Sequence, residues 1–438
     1  MILIYIQKNT PRVSYICRHI CKRMLGMEVD FTSKIESFIA HDGPKFSYGK
    51  KPLGKELFFQ STALLFEQGI NDVAVKVVDW EDTKCFFGVT HEKSALPFDI
   101  FAASFYLLSR YEEYLPHVKD GLGRYSATES IAYIHDFLKD PVVDIWALKF
   151  KNKIQERFPE IGFQKKQFSI QPVVYVSSAL AYNKIGLLQS SIGILKDLIY
   201  LRFHQIKYRF NVLVGLKKDP FDTFDFFIRL QKSKKRKLIV FFGVGDYSSY
   251  EININHNNEL YRRMIKHVAD YIEVGLRVSY EGVCDFLKLK KEKQRIEQIV
   301  NRQSQYSLCT FFKIKLPEAY RNFVELEIKR DFSMGYAEYS GFRAGTCTPF
   351  LFYDLDYEVQ TPLMVYPTSF TSLSLLKEGR DKESVLKNII YYLDKIKKVQ
   401  GICVPVFLNE MLGELNEQKY WKTIFEHLWN IDESRELK

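Results

Sequence analysis

The sequence predicts an α/β fold in two parts, an N-terminal α/β accessory domain over residues 1–165 and a distorted (β/α) barrel over residues 166–438. Short, almost continuously apolar runs alternate with amphipathic segments, which is typical of parallel strands covered by helices on both faces. The chain has 438 residues, too many for one ordinary domain, and 46% of them are apolar. We find no internal repeat and no low-complexity tract.

Hydrophobic spacing defines the elements of the first part. Residues 1–6 (MILIYI) predict an opening strand, and apolar residues three and four apart predict helices in several segments. The predicted helices span 13–25, 98–114, 128–138 and 146–158, and two further strands are expected near 72–78 and 85–89. We place a soft boundary between the two parts at residues 161–168.

The second part alternates strands and helices more regularly. Because parallel strands buried on both faces tend to close on themselves, we expect a barrel whose site lies on the loops after the strands. The predicted strands are 168–178, 238–245, 275–280, 306–314 and 401–409. A long helical region follows the first strand, and helices are expected at 258–272, 287–302, 317–326, 383–399 and from 420 onward.

Charge narrows the classes of partner. The net charge is +10, and much of the excess lies within residues 196–237. This segment begins as a basic amphipathic stretch, so it predicts either a solvated helix face or a peripheral contact with a membrane surface or a partner. No nucleic-acid-binding motif accompanies it, so we expect no nucleic-acid partner. Oligomeric state is not predicted.

Cysteine usage and the absence of long apolar runs bear on location. Seven scattered cysteines favour reduced thiols, which predicts a cytoplasmic protein. The first residues lack the basic region of a signal peptide, and no run approaches about 18 uninterrupted apolar residues, so we expect no transmembrane helix.

Residues 331–375 form the stretch that predicts the functional site. It alternates apolar and polar residues and is interrupted by glycines and prolines, a pattern typical of strand ends that open into loops beneath a pocket. Arg343 lies in GFRAG between Gly341 and Gly345, where its guanidinium would point at the pocket and bind a carboxylate or phosphate. A surface turn is the alternative interpretation.

Together with GLRVSY (275–280) and LPFDIFAASFYLLSRYEEYLP (96–116), this stretch resembles a group of bacterial polysaccharide deacetylase-like proteins, within the metal-dependent carbohydrate esterases of family four. The resemblance runs over nearly the whole chain and implies a barrel of the deacetylase type. It also implies a metal held by one aspartate and two histidines, an aspartate as general base and a late histidine as general acid.

The residues at those positions differ from the family pattern. Tyr175 and Ser177 lie where the resemblance implies two aspartates, while Arg277 and Thr310 replace the two ligand histidines. Ser372 replaces the orienting aspartate. Leu408 replaces the late histidine, beside a retained Asn409. All the replaced residues are ones to which the resemblance assigns metal binding or acid–base catalysis. The surrounding glycines, aromatic residues and prolines remain.

These replacements predict that no metal binds. Tyr175, Ser177 and Thr310 are poor ligands, and Arg277 places a fixed positive charge where the cation would lie. At about 4 Å, like charges repel by roughly 4 kcal/mol at an effective dielectric of about 20. We therefore predict no catalytic residues, no metal and no cofactor.

The sequence leads to three hypotheses of function. The first is a non-catalytic protein that binds a glycan or glycan precursor in bacterial surface-polysaccharide metabolism, through the candidate residues Arg343, Arg277, Tyr280, Asn409 and Tyr175. Two arginines would suit an acidic sugar or phosphate. The second is a carbohydrate hydrolase with relocated carboxylates, drawn from Asp246, Asp331, Glu338, Asp354 and Glu358. The third is a peripheral membrane or partner-binding protein that uses the basic segment.

Overall fold

A four-stranded parallel sheet organises the first part of the chain. The computed structural model describes residues 1–182, 203–234, 236–251, 253–379, 381–414 and 419–431. In the first sheet the strand order is β2-β1-β3-β4, and every pairing is parallel. The predicted opening strand is confirmed as β1. The six strands of this part are β1 Ile2–Tyr5, β2 Val29–Thr32, β3 Lys45–Gly49, β4 Leu57–Gln60, β5 Val78–Trp80 and β6 Thr83–Cys85.

Three helices of the first part, the first, third and fourth, begin at a side chain that caps their free amides. Thr10 accepts a hydrogen bond from the Val13 amide and Pro11 occupies the first turn, so the chain enters the first helix with its free amides satisfied. Asp99 caps the third helix in the same way. The helices are α1 Pro11–Cys17, continued by a π-helical segment Arg18–Met24, α2 Ile35–Ala40, α3 Ile100–Leu108, α4 Ile131–Ile134 and α5 Val142–Arg157.

Two predicted helices of this part are too long and one predicted strand is misplaced. Helix α3 ends at Leu108 because Arg110 takes a left-handed conformation (φ 56°), and α4 ends before Asp136 for the same reason (φ 59°). The alternating valines Val73, Val75 and Val77 pack on the core and lie outside any strand; pairing begins only in the β5–β6 hairpin. Their alternation reflects packing rather than strand pairing.

A nine-stranded sheet organises the second part. Its order is β13-β14-β12-β11-β10-β9-β8-β17-β15, and all its pairings are parallel except that of β13 with β14. The predicted α/β succession with parallel strands is confirmed. Its strands, with the short β7 and β16 that pair separately, are β7 Ser169–Ile170, β8 Val173–Tyr175, β9 Ile239–Phe242, β10 Glu273–Val278, β11 Tyr306–Cys309, β12 Arg330–Asp331, β13 Phe350–Asp354, β14 Val359–Val365, β15 Phe370–Thr371, β16 Ile402–Cys403 and β17 Pro405–Leu408.

Helices follow the strands much as predicted. Within the described ranges they are α6 Phe203–Leu213, α7 Phe224–Ser233, α8 Glu259–Ala269, α9 Phe286–Val300, α10 Glu318–Glu325, α11 Ser372–Glu378, α12 Lys382–Lys398 and α13 Tyr420–Asn430. Most of the long helical region predicted after residue 178, and residues 196–202 and 235 of the basic segment, lie outside the described residues.

Alternate side chains of this sheet belong to two different cores. Val173, Tyr175 and Phe241 lie in an inner cluster with Leu308, Phe332 and Val406, whereas Val174, Val240 and Phe242 face the larger outer core. Side chains from β8, β11 and β17 meet in the inner cluster with Phe332, which follows β12, so the sheet is strongly curved. In the part of the chain that the structure describes, no pairing joins β13 to β15, the two ends of the sheet, and closure as a deacetylase-type barrel stays a prediction.

Glycine is required where this curvature brings strands close. A Cβ at Gly275 would lie 2.4 Å from the ring of Phe241 on the neighbouring strand. Any larger residue there would push β10 away from β9, so the glycine of GLRVSY serves the packing of the sheet.

The two predicted domains pack on one another through a shared core. One hydrophobic cluster contains residues from Ile2 to Ile431. Buried polar contacts also cross the predicted boundary: the carboxylate of Asp144 accepts hydrogen bonds from Thr346 (2.7 Å) and the Cys347 amide (3.0 Å). The division at residue 165 stays a prediction, and the contacts across it are part of the core.

Candidate functional site

A cavity of about 330 Å³ lies at the carboxyl ends of the parallel strands. This is the end at which parallel α/β sheets carry their sites, because the loops after the strands converge there. Its wall contains Tyr175, Ser177 and Arg277 from the ends of β8 and β10. The other lining residues are Ser178, Tyr250, Glu251, Thr310, Phe311, Phe312, Ala337, Thr371, Leu373, Leu408 and Glu410.

Arg277 is buried in this wall and is held by the protein. Its side chain is 5% exposed, and Nη1 donates to the carbonyls of Val176 and Ser177, both at 2.9 Å. Nη2 lies 3.2 Å from Glu251 Oε1 and also donates to Asn253. A planar guanidinium makes such a fork of fixed bonds well. Both Nη atoms are occupied, and Nε, which has no hydrogen-bond partner among the described residues, is buried beside Gly243. Arg277 is therefore poorly placed to bind an anionic ligand.

Glu251 compensates the charge of Arg277 inside the cavity wall. Besides the ion pair, its Oε1 accepts a hydrogen bond from the Thr310 hydroxyl at 2.8 Å, and its Oε2 accepts one from the Tyr280 amide. A buried ion pair with its remaining lone pairs satisfied contributes no net charge to its surroundings. The wall is therefore close to neutral, apart from Glu410.

A second carboxyl group lies behind this pair. Glu292 is buried and accepts hydrogen bonds from the amide (3.0 Å) and the hydroxyl of Ser279. Burial raises the pKa of Glu292 to about 7, and the nearby charge of Glu251 adds to that shift while Arg277 opposes it. Gly245 and Gly282 leave space for its carboxylate, since a Cβ at either position would lie about 3 Å from a Glu292 oxygen (2.9 and 3.0 Å).

The donors at these positions do not fit the divalent metal that the family resemblance implies. Tyr175, Ser177 and Thr310 supply neutral hydroxyl groups, and the Arg277 guanidinium lies against the end of β8, 2.9 Å from the Ser177 carbonyl. Among the described residues, no group of three or more His, Cys, Asp and Glu side chains is arranged to hold a metal ion. These side chains do not support a metal-dependent reaction at this site.

Tyr175 and Asn409 hold the ends of two neighbouring strands. The Arg277 guanidinium lies 5.5 Å from the centre of the Tyr175 ring, and burial raises the pKa of the Tyr175 hydroxyl. Asn409 is fully buried, where it accepts a hydrogen bond from the Ser177 amide (3.1 Å) and donates to the Ser178 carbonyl (2.8 Å). Tyr175 therefore lines the cavity, whereas Asn409 lies behind it and fixes the loop after β8.

Tyr280 supports the rim. Its ring stacks on that of Tyr250 with centroids 3.8 Å apart, and the ammonium of Lys313 lies 3.4 Å from its centre. Its hydroxyl donates to the Leu122 carbonyl (3.0 Å), which belongs to a loop of the N-terminal part. Tyr280 lies outside the lining, but it positions Tyr250, which is exposed at the cavity mouth.

Phe311 and Phe312 form a wall with an unusual backbone. Both residues are left-handed (φ 57° and 56°), which ends β11 at Cys309 well before the predicted end at residue 314. Two consecutive non-glycine residues in this region cost roughly 1–2 kcal/mol each and persist only where neighbours hold them. The Arg124 guanidinium does so by donating to the Phe311 carbonyl at 2.8 Å.

The structure places Arg343 elsewhere. It is 1% exposed, and its guanidinium binds Glu113 through two hydrogen bonds of 2.8 and 2.6 Å. Burial alone would raise the pKa of Glu113, but the guanidiniums of Arg343 and Arg110 outweigh it and lower the pKa to about 2. Neither the predicted free guanidinium at the pocket nor the surface turn is found, because the Arg343 side chain forms a buried ion pair with Glu113.

Two of the five predicted site residues, Arg277 and Tyr175, line the cavity. Several other lining residues were not predicted from the sequence. Glu251, Tyr250, Leu373 and Glu410 were not among the predicted site residues. One signal was present: a buried arginine at a strand end requires a carboxylate partner, and Glu251 follows the preceding strand β9.

The carboxylates suggested for a relocated hydrolase are all engaged outside this cavity. Asp331 is buried among the hydroxyls of Ser307, Tyr320 and Ser333. The remaining four carboxylates are each paired with a cation, namely Asp246 with Arg295, Glu338 with Lys377, Asp354 with Arg321 and Glu358 with Arg12. The cavity's own carboxylates are Glu251 and Glu410.

The described portion of the basic segment exposes apolar side chains. Phe203, Phe210 and Leu213 share one face of α6 and are 60, 61 and 42% exposed, and Leu216 beyond it is 75% exposed. Residues 203–218 contain four Lys and Arg residues and no acidic residue. Within the described ranges, we find no helix that combines the length and apolar character needed to cross a bilayer.

Among known protein families, one family model matches part of the chain. Residues 2–159 match the model of a family of unknown function, DUF7033. No curated protein matches the chain.

Solved structures give weak matches to more than half of the chain. A protein classed as a polysaccharide deacetylase from Mycobacterium smegmatis is 8% identical, with 62% of this chain and 88% of that chain covered and a TM-score of 0.40. One classed as a polysaccharide deacetylase involved in O-antigen biosynthesis, from Bordetella bronchiseptica, is 11% identical (60% and 80% covered, TM-score 0.30). The 4-alpha-glucanotransferase of Thermococcus litoralis is 14% identical (62% and 38% covered, TM-score 0.37). At such TM-scores these likenesses decide nothing about function.

Proposed function

We propose that this protein binds a neutral glycan in the cavity at the strand ends and does not carry out metal-dependent deacetylation there. The observation that carries the proposal is the internal neutralisation of the cavity, where the one buried guanidinium in the wall, that of Arg277, is paired with Glu251 at 3.2 Å. We infer a distorted barrel of the deacetylase type as its scaffold, and surface-polysaccharide metabolism as its setting.

Charge compensation favours a neutral ligand over the acidic sugar or phosphate suggested by the sequence. An anion needs donors with free capacity, and both Nη atoms of Arg277 already bind carbonyl, amide or carboxylate oxygens of the protein. Bringing an anion beside Glu251 and Glu410 would also add repulsion. The hydroxyl groups of a neutral sugar need no free cationic donor and are not repelled by Glu251 or Glu410.

The composition of the walls suits a sugar ring. Tyr175, Tyr250, Phe311 and Phe312 present aromatic surface, while Ser177, Ser178 and Thr371 add hydroxyl groups around it. Aromatic faces pack against the C–H faces of a sugar and polar groups at the edges fix its orientation, which is how mostly apolar pockets bind small ligands. The volume of about 330 Å³ accommodates one or two sugar units.

A binding experiment tests the proposal. Isothermal titration calorimetry with a panel of neutral and acidic oligosaccharides, chosen from a glycan array, should show preference for neutral members. Replacing Tyr250 with Ala removes a stacking face and should weaken binding by about tenfold. Tyr247→Ala is the matched control, because Tyr247 lies three residues away on the same loop, is 70% exposed and is absent from the cavity lining.

Equal affinity of both variants and the parent protein would refute the cavity as the binding site. Acetylated amino-sugar oligomers incubated with zinc or cobalt should release no acetate. Acetate release that resists chelators and disappears in Glu410→Gln would instead favour the carbohydrate hydrolase with relocated carboxylates.

The exposed apolar face of α6 supports a second candidate function, peripheral contact with an anionic membrane. Exposed Phe203 and Phe210 beside Lys207 and Arg209 are the combination that interfacial helices use. Flotation with phosphatidylserine vesicles should show binding that falls at high salt and in Phe210→Ser. Unchanged recovery with neutral vesicles would exclude the electrostatic contribution.

The cytoplasm stays our predicted location. All seven cysteines are free thiols, six of them buried, as expected in a reducing compartment.

A further inference from the structure

We propose that a second cavity, roofed by an N-terminal loop, binds the next unit of the same glycan, so that the ligand is an oligosaccharide chain that spans both parts of the protein. This inference rests on the proposed function. The second cavity measures about 350 Å³ and adjoins the first. It is lined by Asp120, Gly121, Leu122, Arg124, Tyr125, Ser126, Ala127, Phe311, Phe312, Gly335, Tyr336, Ala337, Glu338, Tyr339 and Arg343.

The two cavities share a wall. Phe311, Phe312 and Ala337 line both of them, so a ligand that leaves the first cavity past Phe311 enters the second. The first cavity has a volume of about 330 Å³ and the second about 350 Å³. The two cavities in sequence suit several linked sugar units better than one.

The N-terminal part builds the roof of the second cavity and fixes the shared wall. The loop over residues 117–126 is closed by a turn in which the Gly123 amide donates to the Asp120 carbonyl (2.8 Å). Arg124 from this loop donates to the Phe311 carbonyl, and Leu122 accepts the Tyr280 hydroxyl. Removing the loop would release the left-handed conformation of Phe311, so the N-terminal part positions a residue of the first cavity as well.

Tyr336 supplies the observation that points to a ligand. It is 6% exposed and lines the second cavity, and its hydroxyl is buried with no hydrogen-bond partner among the described residues. A buried hydroxyl without a partner destabilises the free protein, and a ligand that offers an acceptor would satisfy it. Burial raises the pKa of Tyr336 to about 12, so the hydroxyl stays a neutral donor.

The charged groups around this cavity are paired as in the first one. Arg124 binds Asp120 at 2.7 Å, Glu338 binds Lys377 and Arg343 binds Glu113. Such internal pairing leaves no excess charge of either sign in the cavity wall, so an ionic ligand gains nothing there. A hydroxyl-rich neutral unit, flanked by the rings of Tyr125, Tyr336 and Tyr339, fits this surface.

The test is the dependence of affinity on chain length. Neutral homo-oligomers of glucose and of N-acetylglucosamine, from one to five units, are titrated into the full-length protein. We expect affinity to rise with length, and Tyr336→Phe to lower the affinity for the longer oligomers by about tenfold while leaving that for the shortest binding unit unchanged. Tyr420→Phe is the matched control, because its hydroxyl is also buried and has no partner within the described ranges, but Tyr420 lies on α13, outside both cavity linings.

A second variant, Leu122→Trp, fills the second cavity from the exposed loop and should have the same selective effect on long oligomers. If Tyr336→Phe and Leu122→Trp both retain the full gain with length, or weaken the shortest ligand equally, the second subsite is refuted and the first cavity stands. If no member of either series binds the parent protein, the proposed function fails and this inference fails with it.

Discussion

Two buried arginines, Arg343 and Arg277, show how partners decide what a side chain does. Both are almost fully buried and both lie at the strand-end side of the curved sheet. Arg343 binds Glu113 of the N-terminal part through two short bonds, and Arg110 shares that carboxylate at 2.7 Å. Arg277 binds Glu251 and two backbone carbonyls beside an open cavity. Arg343 joins two parts of the fold at the wall of the second cavity, and Arg277 shapes the wall of the first.

The comparison predicts its largest effect at Arg343. Arg343→Met leaves Glu113 buried with Arg110 alone, so the free energy of unfolding should fall by about 3–4 kcal/mol. Denaturant unfolding followed by circular dichroism measures it. Arg263→Met is the control, since its pair with Glu259 lies on the surface and should contribute less than about 1 kcal/mol. Equal losses would mean that the Arg343 pair does not join the two parts.

Acid should weaken the Arg343 site. The pKa of Glu113 falls from 4.5 to about 2 on folding, so the ion pairs stabilise the protein fully above pH 4.5. That contribution, about 3 kcal/mol, is lost as pH falls from 4.5 toward 2. Unfolding free energies measured across this range should show the slope in the parent protein and lack it in Glu113→Gln. An unchanged slope in Glu113→Gln, with Glu259→Gln as the exposed control, would contradict the assignment.

The Arg277 site should respond to pH with the opposite sign. Burial raises the pKa of Glu292 from 4.5 to about 7, so below pH 4.5 the carboxyl group is protonated in both folded and unfolded states and carries no penalty. As pH rises from 4.5 to 7 the unfolded chain releases its proton first, and the free energy of unfolding should fall by about 3 kcal/mol. Glu292→Gln keeps an acceptor for Ser279 and should flatten this decline. A parent protein equally stable at pH 5 and pH 7.5 would show that Glu292 is not buried as described.

The smallest expected effect separates the two arginines by function. Arg277→Lys keeps the charge but loses the planar fork, so the carbonyls of Val176 and Ser177 lose a donor, which should cost about 1–2 kcal/mol of stability and weaken glycan binding about tenfold. Arg343→Lys should leave the affinity for the shortest glycan unchanged. Titration calorimetry with that ligand measures the affinity of each variant. Weaker binding in both variants would contradict the functional difference between the two sites.

Several features of the molecule could be predicted from the sequence because they depend on local pattern. The apolar runs of β1, β9 and β17 and the amphipathic repeats of α9 and α12 lie close to their predicted positions. The predictions failed where a single residue leaves the helical or extended region, as at Arg110 and Phe311. Nothing in the hydrophobic spacing marks those residues, since contacts with distant residues hold their backbone.

The candidate site divides along the same line. The sequence by itself determined the parallel α/β organisation and the strand-end position of Tyr175 and Arg277, because these follow from residue type and strand order. Only the tertiary structure decided that Glu113 would pair with Arg343, that Glu251 would neutralise Arg277 and that an N-terminal loop would line the second cavity. Ion pairs and cavities form between residues far apart in the chain, so their partners are set by packing in three dimensions.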